Sequence, residues 1–233
     1  MAGYLEQSMA KIKEFEGSVP WMYLDTVGKV TVGVGLMLVN EIAAHALPFT
    51  IDGRPANPDE IGREFARVSA MKKGQLAKFY FNSNGLQLPE EAIDARLRDT
   101  LTGFEGYLRS HIHGYQALPD SAKLALLDMI YNLGPGRLFG EYPRLIAAIE
   151  RSDWNAAAAS SSRRGPAANR NSWAKQQFLA AASVVHLKAE AEEALGHAVL
   201  GLLSGIAAAA AAAILFGDLD RLAARIRARR QIR

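Results

Sequence analysis

Glu16, Asp25 and Thr31 stand in three short blocks, Phe15-Glu16-Gly17, Tyr23-Leu24-Asp25 and Val30-Thr31-Val32-Gly33-Val34-Gly35. A carboxyl, a second carboxyl nine residues on and a hydroxyl six beyond that are groups able to cleave a glycosidic bond. One carboxyl serves as proton donor to the leaving oxygen. The other holds a water molecule with help from the hydroxyl.

The elements that must position these groups follow from periodicity. Residues 4–16 read as an amphipathic helix, with Leu5, Met9, Ile12 and Phe15 on one face at about 100° per residue. Glu16 falls inside that apolar stripe, one turn after Ile12, whereas Glu14 falls opposite. Gly17 supplies a helix stop. A partly buried carboxyl keeps its proton more readily, as a general acid must. Residues 21–34 read as a β-hairpin around Val27-Gly28-Lys29. With Gly28 as the turn centre, Asp25 pairs with Thr31 across the strands, at a Cβ separation of about 5 Å. A one-residue slip of register removes that pairing.

The run from Ile12 to Gly35 resembles the start of the phage-type lysozymes, the muramidases of glycoside hydrolase family 24. Their pattern is a helix ending in Glu-Gly, then Tyr-x-Asp, then Thr-x-Gly-x-Gly. The resemblance returns at Ala125-Leu126-Leu127-Asp128-Met129-Ile130-Tyr131-Asn132-Leu133-Gly134, at Asp153-Trp154-Asn155-Ala156-Ala157, and from Arg163-Arg164-Gly165 to Asn169-Arg170. Together the blocks span about residues 4–182, in family order.

The resemblance implies an α+β lysozyme-like fold: a small lobe with a β-hairpin, a larger helical lobe and a cleft between them. It implies hydrolysis of the β-1,4 bond between N-acetylmuramic acid and N-acetylglucosamine in peptidoglycan, without a cofactor. Glu16 would be the general acid, and Asp25 and Thr31 would position water. Arg170 would lie near Glu16 and orient it, and Asn132 would contact sugar in the cleft. Many family members carry His directly after Thr-x-Gly-x-Gly; here Leu36 stands there, which implies altered packing. The stretch from about Leu38 to Leu88 is longer than the family's, with Asn57-Pro58-Asp59-Glu60 as a helix start. A lytic transglycosylase, which uses one Glu and no held water, is the enzymatic alternative.

Composition narrows the remaining classes. The chain has 233 residues, with 27 Lys and Arg against 24 Asp and Glu, so it is mildly basic and suited to anionic wall polymers. No zinc-finger spacing or single-strand-binding aromatic signature appears, which argues against a nucleic-acid partner. Cysteine is absent, so no disulfide staples the fold. His45, His111, His113, His186 and His197 form no H-E-x-x-H pattern, and no metal is expected. Met1 to Gly17 carries acids and lacks a secretory apolar core, so synthesis in the cytoplasm without a signal peptide is expected, followed by action in the periplasm or on the wall. Such an enzyme fits a phage endolysin or a delivered antibacterial effector. The latter implies an immunity or inhibitor protein.

Helices are expected from Pro89 to about His111, over Asp120–Leu133 as the buried central helix, over Pro143–Glu150 and Asp153–Ser160, and from Asn171 to about Ala182. Gly134-Pro135-Gly136 reads as a turn. The domain organisation is a catalytic domain over 1–185 and a helical tail over 186–233. Leu195 to Gly217 carries no charge and is long enough to cross a bilayer core of about 30 Å. Arginines follow from Arg221 to Arg233, as the positive-inside rule would require of a membrane anchor. The competing reading is an alanine-rich helix packed on protein. A tail that anchors to or permeabilises the bilayer makes the chain a membrane-acting protein, the non-enzymatic alternative.

Overall fold

The computed structural model describes residues 3–165, 168–187, 190, 193 and 195. The chain divides into two compact units, residues 1–182 and 183–233. In the second unit residues 183–187 are helical. Apart from Leu195, the uncharged span to Gly217 and the arginines after it lie outside the described residues. No helix among the described residues is long and apolar enough to cross a membrane.

The first unit is α+β, with a small sheet-bearing lobe and a larger helical lobe. It opens with α1 (Tyr4–Glu16), then a three-stranded antiparallel sheet of β1 (Val19–Leu24), β2 (Val30–Gly33) and β3 (Leu36–Met37). Next come α2 (Glu41–His45), the short ribbon β4 (Thr50–Ile51) and β5 (Arg54–Pro55), α3 (Pro58–Ser69) and a 3-10 turn at Ala77–Tyr80. The larger lobe holds α4 (Glu90–His111), a second 3-10 turn at Tyr115–Ala117, α5 (Asp120–Leu133), α6 (Pro135–Glu141), α7 (Pro143–Glu150), α8 (Trp154–Ser160) and helical residues 168–182.

Two apolar clusters make the two lobes. One gathers Met9, Ile12, Met22, Val32, Phe49, Tyr80 and the first half of α4 through Leu101. The other gathers Leu108, Leu126, Ile130, Leu138, Trp154 and Phe178. Helix α4 therefore crosses both, and α1 does the same: Met9 and Ile12 enter the first cluster while Tyr4 rests on the second. Lys13 pins the two shared helices together, pairing with Asp94 at 2.7 Å and with Glu90. Glu16, the last residue of α1, pairs with Arg170 of the helical residues 168–182 and so lies where the lobes meet.

Local sequence explains the boundaries. In α3, the Asn57 side chain accepts from the Glu60 amide and Glu60 returns the bond to Asn57, with Pro58 fixing the first turn. The Gly134-Pro135-Gly136 run ends α5 but is not a turn. Gly134 takes φ of 75°, and Pro135, its φ preset for helix, opens α6 at once. The sequence reading also misses β3, whose two residues pair with Thr31 and Val32 and are too short to show a period.

Candidate active site

Glu16 sits where α1 stops, because Gly17 follows with φ of 77°, a conformation suited to glycine. Its side chain remains 32% exposed. Arg170 Nη1 donates to Glu16 Oε1 at 2.5 Å. The guanidinium itself is buried, and its Nε donates to Asp128 Oδ1 at 2.8 Å. Asp128 lies in the middle of α5, fully buried, and faces a second buried cation: Arg163 Nη2 stands 2.8 Å from Asp128 Oδ2. Asn171 anchors Arg163 in turn, accepting from its backbone N at 3.1 Å and from Nε at 3.2 Å. The Phe15 ring covers Arg170 with its centroid 5.2 Å from the guanidinium carbon. Two carboxylates and two guanidiniums thus alternate as Arg163, Asp128, Arg170 and Glu16, and only the last reaches solvent.

Burial alone would pull Arg170 below the usual arginine range, but Asp128 and Glu16 outweigh it and hold the group above that range. Arg163 lacks the second carboxylate, and there burial prevails and lowers it. Arg170 is therefore a permanent cation fixed against Glu16.

The hairpin differs from expectation in one respect that bears on the site. Tyr23 pairs with Thr31 and Leu24 with Val30, so Asp25 lies opposite Lys29 and not opposite Thr31. The turn centres on Val27, one residue earlier than Gly28. The reason is the Asp25 side chain: its Oδ1 accepts from the Val27 amide at 3.0 Å and the Lys29 amide at 2.8 Å, closing the turn at its own position. Thr31 is buried, and its hydroxyl donates to the Lys29 carbonyl at 3.1 Å. Asp25 and Thr31 thus meet around Lys29 rather than across a ladder. Toward water, Asp25 keeps its Oδ2, and the Thr31 oxygen can only accept.

Two tyrosines that the sequence reading does not single out complete the setting. Tyr23 feels both carboxylates: burial first, then Asp25 and Glu16, push its hydroxyl above the ordinary tyrosine value. Tyr131, on α5, donates to the Val34 carbonyl at 2.5 Å and so ties the larger lobe to the β2–β3 turn. Burial, then Glu16, pushes it to about 12. Asn132, the next residue of α5, is half-buried and stands outside the carboxylate network. A cavity of about 250 Å³ opens beside Tyr131, lined by Val34, Gly35, Leu36, Leu97 and Phe104. Leu36 therefore forms part of a mostly apolar wall. Neither Glu16 nor Asp25 lines this cavity, so it adjoins the site without containing it.

Two results are expected from this geometry. Because the folded pKa of Tyr131 lies above its ordinary value of 10.0, its stabilisation is complete below pH 10 and is lost as pH rises through about 12. Tyr131→Phe should be less sensitive to alkali over that window, by about 2–3 kcal/mol in urea unfolding followed against pH. Parallel curves for the two proteins would remove Tyr131 as the alkaline trigger. At the hairpin, Asp25→Asn keeps an oxygen for the turn amides and should melt with wild type, whereas Asp25→Ala should lose about 1 kcal/mol. Equal melting of all three proteins would show that the cap contributes nothing.

No family model matches the chain, and no curated protein matches it. Among solved structures, the crystal structure of a P22 lysozyme mutant aligns with 77% of this chain and 99% of its own, at 18% identity and a TM-score of 0.48.

Proposed function

We propose that the protein is a peptidoglycan hydrolase, a muramidase that cleaves the β-1,4 bond between N-acetylmuramic acid and N-acetylglucosamine. The observation that carries this reading is a solvent-reaching carboxylate, Glu16, held from behind by a buried arginine. Glu16 protonates the leaving oxygen. Asp25, from the hairpin, faces the developing positive charge with Oδ2 and holds the attacking water, and Thr31 fixes the Lys29 segment beneath it. Asn132 supplies a hydrogen-bonding group on the larger-lobe side. The setting is bacterial wall lysis, by an endolysin or a delivered effector.

A lytic transglycosylase is the second reading. Its support is that Thr31 faces Tyr23 and spends its hydroxyl hydrogen on Lys29, which weakens a Thr-held water. Digestion of purified peptidoglycan, with mass analysis of the soluble fragments, separates the two. Reducing-end muropeptides are expected. Anhydro-sugar ends would transfer the assignment to the transglycosylase, and no soluble fragment would sink both.

A further inference from the structure

The segment from Ala70 to Leu88 contains Lys72, Lys73 and Lys78 and no acidic residue. It is firmly held from below. Trp21 donates its indole N–H to the Ala77 carbonyl at 2.9 Å and meets Phe81 edge-on at 4.8 Å. Tyr80 is buried, donates to the Lys72 carbonyl at 2.8 Å, and has its own carbonyl capped by Arg67. Outside, the arrangement reverses the usual order. Leu76 is 73% exposed, and Phe79 and Phe81 are about half exposed. Leu76 and Phe79 are three apart across the 3-10 turn, so they project from the same side. The tip of the β1–β2 hairpin continues this surface. The Lys73 side chain lies against Gly28, and beside it Val27 is 72% exposed, next to Lys29.

Four outward apolar side chains are therefore interleaved with four lysines. None of Lys29, Lys72, Lys73 and Lys78 forms an ion pair among the described residues, whereas Lys11, Lys13 and Lys123 all do. The nearest acid in the hairpin, Asp25, has one oxygen committed to turn amides.

We propose that this face docks on an anionic phospholipid bilayer. Unpaired lysines match the headgroup charge, and apolar side chains standing at the same level can enter the acyl boundary. A hydrated polyanion such as a wall polymer would use the lysines but leave Leu76 and Val27 in water. The inference stands independently of the hydrolase reading, since no residue of the carboxylate network takes part. Docking would hold the hairpin that carries Asp25 close to the membrane.

The test uses the full chain, with vesicles of phosphatidylglycerol and phosphatidylcholine, vesicles of phosphatidylcholine alone, and soluble teichoic acid. Two variants are compared with wild type: Leu76→Ser with Phe79→Ser, and Lys72→Gln with Lys73→Gln and Lys78→Gln. All five positions are exposed or surface-facing, so folding is monitored by circular dichroism and should not change. Wild type should sediment with anionic vesicles in a salt-dependent manner. The apolar pair should lower partitioning at least about tenfold, and the lysine set about fivefold per lysine. The residues 183–233 are common to all proteins, so binding left unchanged in both variants would assign docking elsewhere and overturn the proposal. So would equal binding to uncharged vesicles, or binding to teichoic acid with none to vesicles.

Discussion

Glu16→Gln should lower muropeptide release by about 100-fold or more, the range expected when a general acid is lost. The substitution is nearly isosteric. Its amide oxygen can still accept from Arg170 Nη1, and Arg170 keeps its bond to Asp128. The Glu16 side chain is one-third exposed, so the lost charge should change stability by no more than about 1 kcal/mol. Activity and stability therefore separate: circular dichroism melting should coincide with wild type while digestion of peptidoglycan collapses. Undiminished digestion would remove Glu16 from the chemistry and leave Asp25 as the sole carboxylate candidate. A comparison with Asp25→Asn sharpens this. That variant keeps the turn cap, so a slowing there reports the missing negative charge and not a deformed hairpin.

The parts of the site that were legible in the sequence are those encoded by local period and punctuation. The stripe Leu5, Met9, Ile12 identifies the inward side of α1, and Gly17 stops the helix so that Glu16 is its terminal residue. The bounds of α5 follow from an apolar run closed by Gly134. The hairpin was legible as an element but not in register. Register is chosen by which side chain captures the turn amides, and Asp25 does so at its own position, where composition alone favours Gly28 as the centre. The carboxylate network was legible only in fragments. Asp128 stands as a carboxylate in the apolar middle of α5, away from Asp120 at the helix start, which signals that a cation must be found for it. Nothing in the local pattern says that the cation is Arg163, 35 residues away, or that Arg170 serves two acids at once. Such pairings are made by tertiary packing, to which helix and strand periods are blind.

Asp128→Ala should be the most damaging single change in the fold. Asp128 and both arginines are almost wholly buried, and among the described residues Asp128 is the one carboxylate that touches both. Its removal leaves two guanidiniums facing one another with only Glu16 to compensate, and Glu16 reaches Arg170 alone. Breaking a buried ion pair by deleting one partner costs about 3–5 kcal/mol, against a total stability of about 5–15 kcal/mol for a domain. Urea unfolding should show a free energy lowered by that amount, seen as a lower midpoint with the slope unchanged. Because Arg163 contributes no contact to Glu16 among the described residues, Arg163→Met in the same background should restore part of the loss by removing one of the two uncompensated cations. Losses that simply add would mean that the two residues do not act as a unit. The pair of variants also bears on chemistry. If the double variant regains stability but Glu16 stays ineffective in wall digestion, Asp128 acts by positioning Arg170; if digestion returns with stability, its role is confined to holding the fold.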